Sequence, residues 1–232
     1  PHPEWLYTQA CALQHQQADV LLGPVALCSI SPWQQWQQLE FSALQAATAG
    51  SAGLGSPVMA NGANLAFRKT LYHEARHALH TYLASGDDMF LLHWAKRANK
   101  RIRYTKSHKA LVVTPGAEDF RSFWQQRLRW AGKTPHYTDA PTLATAFIVF
   151  AGNAALLAAL ALGAWHPVWW AGAFALKLLP DFLLLAAWHR FFATPRLLLH
   201  FPAVALAYPF YTVAAAWASL FVGFRWKGRR LR

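Results

Sequence analysis

PTLATAFIVFAGNAALLAALALG, Pro141–Gly163, contains no Lys, Arg, Asp or Glu. At about 1.5 Å rise per residue it exceeds the ~20 residues a helix needs to cross ~30 Å of hydrocarbon. Two similar stretches follow, roughly Val168–Phe192 and Leu197–Phe224, joined by links of four residues each. With no polar face left for water, the three are expected to be membrane-spanning helices rather than buried core helices. Trp165, Trp169 and Trp170 near one link, and Phe224 and Trp226 near the tail, suit the aromatic belt of a bilayer interface.

Charge divides the 232-residue chain in the same place. Residues 141–224 hold only Lys177, Asp181, Arg190 and Arg196, whereas the first 140 hold fourteen Lys and Arg against nine Asp and Glu. Five more basic residues, Arg225, Lys227, Arg229, Arg230 and Arg232, form a tail suited to an anionic lipid surface. A hydrophobic content of 55% excludes a disordered chain. Cys11 and Cys28 show no CxxC spacing, which excludes a disulfide framework and points to a reducing compartment. Three crossings would put the basic tail opposite residues 1–140, against the positive-inside tendency. Pro180, Pro202 and Pro209 interrupt the second and third stretches and leave room for a re-entrant or interfacial segment instead. Lys177 and Asp181 lie four apart and are expected to pair.

Residues 1–140 read as an α/β layer. Helices are expected over Pro3–Gln17, over Trp33–Ala47 with its end in the Gly50–Gly55 stretch, over Arg68–Ala84 and over Met89–Asn99. Ala18–Cys28 reads as a buried strand, Ser56–Phe67 as extended, and two short strands fit Arg101–Tyr104 and Ala110–Thr114. The domain boundaries expected are therefore 1–140, a membrane region 141–224, and a basic tail 225–232.

Four clusters could carry chemistry. His73-Glu74-Ala75-Arg76-His77 matches HExxH, which puts two imidazoles on one helix face with a Glu to activate zinc-bound water. A third ligand has no clear candidate, since the extended motif needs Gly at His80 and His at Leu83. These histidines are expected on a solvated helix surface, and a membrane-anchored zinc protease is the alternative reading. Ser85-Gly86-Asp87-Asp88 precedes a helix, where one carboxylate could cap and the other act as a general base. Gln126-Arg127-Leu128-Arg129-Trp130 offers a guanidinium fork, suited to a diphosphate, just before the membrane. The run Lys96–Lys109 carries seven Lys and Arg but no stacking platform, so a solvated or membrane-facing surface is expected rather than a nucleic-acid site.

Taken in order, Gly23-Pro24-Val25, Leu39-Glu40-Phe41, Asn61 to Arg68, Gly86-Asp87-Asp88, the QxxRW element Gln126, Arg129 and Trp130, and Trp226-Lys227-Gly228-Arg229 resemble the membrane-bound family 2 inverting glycosyltransferases. That group includes cellulose, chitin and hyaluronan synthases and ceramide glucosyltransferase. The resemblance covers essentially the whole chain. It implies part of a GT-A-like cytoplasmic layer followed by an all-α transmembrane region in the plasma (inner) membrane, with residues 1–140 cytoplasmic.

The same resemblance implies a nucleotide-sugar donor, a lipid or glycan acceptor, and membrane lipids as partners. Asp88 aligns with the base that takes the acceptor hydroxyl's proton, with Asp87 beside it. Gln126, Arg129 and Trp130 would hold the leaving diphosphate or shape the acceptor entrance, and Asn61, Gly62, Asn64 and Arg68 would line the acceptor side. The family's DxD, which holds Mg²⁺ or Mn²⁺, does not occur in this sequence. Pro1 to Leu6 resembles the segment just after it, so this chain alone is expected to hold no metal and to be inactive without a donor-binding half.

Overall fold

A computed structural model describes residues 1–79, 86–163, 167–226 and 229–231, with 162–163, 224–226 and 229–231 described as backbone only. The chain is mostly helical with a small mixed sheet, and three helices are long and apolar enough to cross a membrane: Ala140–Ala161, Pro167–Phe191 and Pro195–Ser219. It divides into two compact units. The first contains residues 1–28, 44–115 and 137–142, and the second contains 29–43, 116–136 and 143–232.

In the first unit, α1 (Trp5–His15) leads into β1 (Val20–Leu22) and β2 (Val25–Leu27). A single strand was expected over Ala18–Cys28; it is broken in two at Gly23-Pro24. Pro24 has no N–H to give a ladder, and the Gly23 N–H turns to the carbonyl of Asn64 at 3.0 Å. β1 is the middle strand of a three-stranded sheet, antiparallel to β3 (Leu65–Phe67) and parallel to β4 (Ile102–Tyr104). β2 pairs in parallel with β5 (Val112–Thr114).

Between the sheet strands run α2 (Pro32–Gly53), whose second half belongs to this unit, α3 (Lys69–Ala75) and α4 (Asp87–Arg97). The helix expected over Trp33–Ala47 runs on to Gly53 and ends, as expected, within the Gly50–Gly55 stretch; Gly50 needs no left-handed backbone, whereas Gly55, at φ +80°, does. The helix expected over Arg68–Ala84 is shorter: α3 tightens into a 3₁₀ turn at Arg76–Ala78, and His80, Leu83 and Ser85 lie outside the described residues. Val20, Leu22, Leu71, Ala75, Met89, Leu92 and Ile102 form one buried cluster, joining the sheet to the buried faces of α3 and α4. Burying each large apolar side chain contributes ~1.5–3 kcal/mol.

The second unit contains the first half of α2, the amphipathic α5 (Phe120–Ala131), α6 (Ala140–Gly163) from Leu143 onward, α7 (Pro167–Phe191) and α8 (Phe201–Ser219). Leu39 of α2 packs with Leu185 of α7 and Val204 of α8. An aromatic cluster ties α2, α5 and α8 together: Trp33 stacks on Trp36 at 5.3 Å, and Trp36, Phe123 and Tyr211 meet edge to face. Lys177 and Asp181 pair as expected, at 2.6 Å, with the ammonium 5.2 Å from the Tyr208 ring centre. The third apolar stretch is helical only to Ser219, not to Phe224. It ends in a two-stranded hairpin, β6 (Phe224–Trp226) with β7 (Arg229–Leu231), that pairs Arg225 with Arg230 in register. Lys227 and Gly228 lie outside the described residues.

Candidate functional site

The acidic element sits where α4 begins. Gly86, at φ +113°, turns the chain into the helix, so Asp87 and Asp88 occupy its first turn instead of capping it from outside. Two carboxylates there are favoured by the helix dipole, by ~0.3–1 kcal/mol each. Asp87 is exposed and Asp88 half-buried. The Asp88 carboxylate is held at both ends: Oδ2 accepts from the Gly62 N–H at 2.9 Å and Oδ1 from the Met89 N–H at 2.8 Å. A lone pair on each oxygen remains for another donor.

Two segments singled out in the sequence therefore meet, Asn61-Gly62 and Asp87-Asp88. Asn61 shapes the 3₁₀ turn Gly62–Asn64 by accepting from the Ala63 N–H at 3.0 Å, and so aims the Gly62 donor at the acid. A Cβ on Gly62 would sit 3.6–3.8 Å from Asp88 atoms, which is ordinary contact.

Asn64 departs from the expected role. It is 1% exposed, and its amide oxygen accepts from Trp5 Nε1 and Gln9 Nε2 while its nitrogen donates to the carbonyls of Pro24 and Ala110, both at 2.7 Å. All four hydrogen-bonding positions are used within the fold, so none is left for a sugar hydroxyl. Asn64 is a hub joining α1, the β1–β2 break and the start of β5. Gly23 is required beside it, because a Cβ would approach the Asn64 side chain to 2.4–2.6 Å. Arg68 donates Nε to the carbonyl of Ala18 at 3.0 Å, but half of its side chain stays exposed.

The arginine element lies on α5, in the second unit. Asp119 caps this helix by accepting from the Ser122 N–H at 2.7 Å, and that bond lowers its pKa. Gln126, Arg129 and Trp130 are half-buried. Between them lies Arg127, buried, to which sequence reasoning assigned no role. Its Nη2 is hydrogen-bonded to Glu40 of α2, its Nη1 donates to Gln126 Oε1 at 2.7 Å, and its guanidinium lies 4.4 Å from the Trp130 ring and 4.2 Å from Phe123. Gln126 and Trp130 thus clasp Arg127, while Trp130 also meets Phe41 at 6.3 Å. The available signal was spacing: Arg127 falls four residues after Phe123, on the apolar face of α5.

HExxH splits across two elements, with His73 and Glu74 on α3 and His77 in the following 3₁₀ turn. Glu74, which would have to activate water, is paired with Lys100 at 2.6 Å. Among the described residues, no three His, Cys, Asp or Glu side chains gather as metal ligands. The basic run is partly neutralised: Lys96 pairs with Asp139, Lys100 with Glu74 and Lys109 with Glu4.

His93, buried on α4 against the Tyr137 ring at 5.1 Å, has its pKa lowered chiefly by desolvation. Burial raises the pKa of Asp139, but its bonds with Lys96 and Thr142 outweigh burial and leave it below the ordinary value. No family model matches the chain, and no curated protein matches it.

Proposed function

We propose that this chain is the acceptor-side and membrane portion of an inverting glycosyltransferase that works at the plasma membrane on a lipid or glycan acceptor, with residues 1–140 in the cytoplasm. The observation that carries this is the Asp88 carboxylate, fixed by the Gly62 and Met89 N–H groups, with one lone pair free on each oxygen. A base must be held in one orientation while staying open to a proton. Asp88 takes the proton of the acceptor hydroxyl as its oxygen bonds to the anomeric carbon. The bond to the nucleoside diphosphate breaks on the opposite side, and the electron pair leaves with the diphosphate.

The family resemblance implies that Arg129 would stabilise the charge gathering on that leaving group, and Arg127, with its pair Glu40, fixes the helix from which Arg129 projects. Asp87 lies exposed beside Asp88 and raises the negative potential felt by the departing proton. Mg²⁺ or Mn²⁺ would assist a diphosphate as a Lewis acid. The residues present do not fit such an ion: the sequence has no DxD, and the described carboxylates do not cluster. The steps assigned to this chain are therefore proton transfer and charge stabilisation.

The test is substitution in a protein that carries a donor-binding half upstream of Pro1. Asp88→Asn and Arg129→Ala are each expected to lower transfer by at least ~10²-fold, the scale of losing a base or a charge-stabilising donor. Wild-type transfer by both variants would refute the assignment.

A further inference from the structure

The start of α6 is gripped by α4. Asp139 caps α6, its Oδ2 accepting from the Thr142 N–H at 3.0 Å, and the same oxygen accepts from Lys96 Nζ of α4 at 2.6 Å. Both side chains of this ion pair are largely enclosed, at 15% and 11% exposure, and Lys96 also donates to the Pro57 carbonyl at 3.0 Å. Thr142 Oγ1 lies 3.0 Å from the Val58 carbonyl and 2.8 Å from Asp139 Oδ2, with one proton to give. Just before the cap, the Tyr137 ring meets His93 and Phe90 of α4 edge to face, at 5.1 and 6.2 Å. All of these residues belong to the first unit.

The same elements lead to Asp88. Lys96 lies just over two turns after it on α4, about 12 Å along the helix. The segment that touches Thr142 at Val58 runs on to Gly62, whose N–H holds Asp88 Oδ2, and on the way the Ala60 N–H donates to Met89 Sδ at 3.3 Å. Four extended residues cover at most ~14 Å, so with the hydrogen bond at each end the Asp88 carboxylate stands within about 20 Å of Thr142. It is tied to the start of α6 along two routes, through α4 and through the 57–62 segment.

The start of α6 also fixes a level. Ala140–Ala161 is long and apolar enough to cross a membrane, and the Lys96–Asp139 pair stands at its head. An ionised side chain at the centre of the hydrocarbon costs ~2.5–3.5 kcal/mol, which places the pair with the headgroups, a layer ~5–8 Å deep on each side. A base held twice over at one distance from that layer suits a hydroxyl that is itself held at one distance from it. A soluble or growing glycan presents its end at no fixed height.

We infer that the acceptor is a membrane lipid that reacts through a hydroxyl of its headgroup, and that Lys96, Asp139 and Thr142 are positioning residues that hold Asp88 at the height of that hydroxyl. The inference rests on the sugar-transfer reading and narrows its acceptor from lipid or glycan to lipid. The lipid oxygen bonds to the anomeric carbon, its proton passes to Asp88, and the nucleoside diphosphate leaves with the electron pair.

The experiment uses the protein with a donor-binding half upstream of Pro1, in phosphatidylcholine vesicles with labelled nucleotide sugars. The acceptors are long-chain diacylglycerol or phosphatidylglycerol in the bilayer, and their dihexanoyl forms or oligosaccharides in the water. Label is expected in a long-chain lipid, at a rate that falls when added phosphatidylcholine dilutes that lipid in the surface at constant bulk concentration. Lys96→Met should lower the ratio of long-chain to dihexanoyl transfer by at least ~10-fold, since misplacing a reacting group by ~1 Å costs up to ~10²-fold. Thr142→Val keeps the ion pair and should lower the ratio in the same direction, with melting curves to show that both variants are folded. An unchanged ratio in the folded variants, or transfer indifferent to acyl length and surface dilution, would overturn the inference. Transfer to oligosaccharides but to neither lipid would overturn it and leave sugar transfer standing, whereas transfer to no acceptor would remove both.

Discussion

Replacing Gly62 by proline abolishes the contact that orients Asp88. The Gly62 N–H donates to Asp88 Oδ2 at 2.9 Å, so proline removes that bond and also puts its ring Cδ where the carboxylate oxygen sits, displacing Asp88 from its present orientation. The backbone accommodates the ring: Asn61 lies at φ −129°, ψ 116°, the extended region that a residue before proline adopts, and position 62 opens a 3₁₀ turn. A hydrogen bond to a charged group contributes ~1.5–3 kcal/mol. If all of it serves to orient the base, turnover falls about 10- to 100-fold, at ~1.4 kcal/mol per factor of ten.

Gly62→Ala is the control. It keeps the N–H, and its Cβ meets Asp88 only at 3.6–3.8 Å, so near-normal turnover is expected. The assay is transfer of labelled sugar by the protein with its donor-binding half, with a melting curve for each variant to show that it is folded. A folded Gly62→Pro with full turnover, or an alanine variant as impaired as the proline one, would refute the positioning role.

Other consequences concern stability. Gly23→Ala drives a methyl into the Asn64 side chain, which four hydrogen bonds prevent from moving, and should cost ~1–3 kcal/mol in a denaturant titration without touching Asp88. Arg127→Met leaves Glu40 buried and unpaired, at 3% side-chain exposure, and should cost ~3–5 kcal/mol, whereas adding Glu40→Leu should recover a large part of it. His93 binds a proton less readily when folded than the ordinary value of 6.5, so the unfolded chain protonates first. Stability is then full above that value and declines as pH falls through it, and His93→Phe should flatten that slope in melting curves taken across the range.

Helix and strand types were legible because the apolar spacing is strong: α1, α4, β4 and β5 lie where spacing and punctuation put them. The misreadings have local causes. Ala18–Cys28 is continuous in hydrophobicity, and only the partner of Gly23, Asn64 some forty residues on, shows why the strand breaks. α2 ends at Gly53, inside the glycine-rich stretch expected to end it, but six residues beyond Ala47, where its apolar spacing stops, because Gly50 demands no positive φ. Of the candidate site, the meeting of Gly62 with Asp88 was legible only as two separate motifs. Asn64 was misassigned because nothing in a single sequence distinguishes an amide facing a ligand from one saturated inside a fold. Arg127 went unassigned because a charged residue on an apolar helix face acquires meaning only with its partner, Glu40, 87 residues earlier.

Sugar transfer itself is the central claim. Membranes bearing the protein with its donor-binding half, incubated with a panel of labelled α-linked nucleotide sugars, should place label in an extractable acceptor through a β linkage, and Asp88→Asn should abolish it. Failure to transfer from any donor, a product that keeps the α linkage, or an Asp88→Asn variant as active as the parent would contradict it.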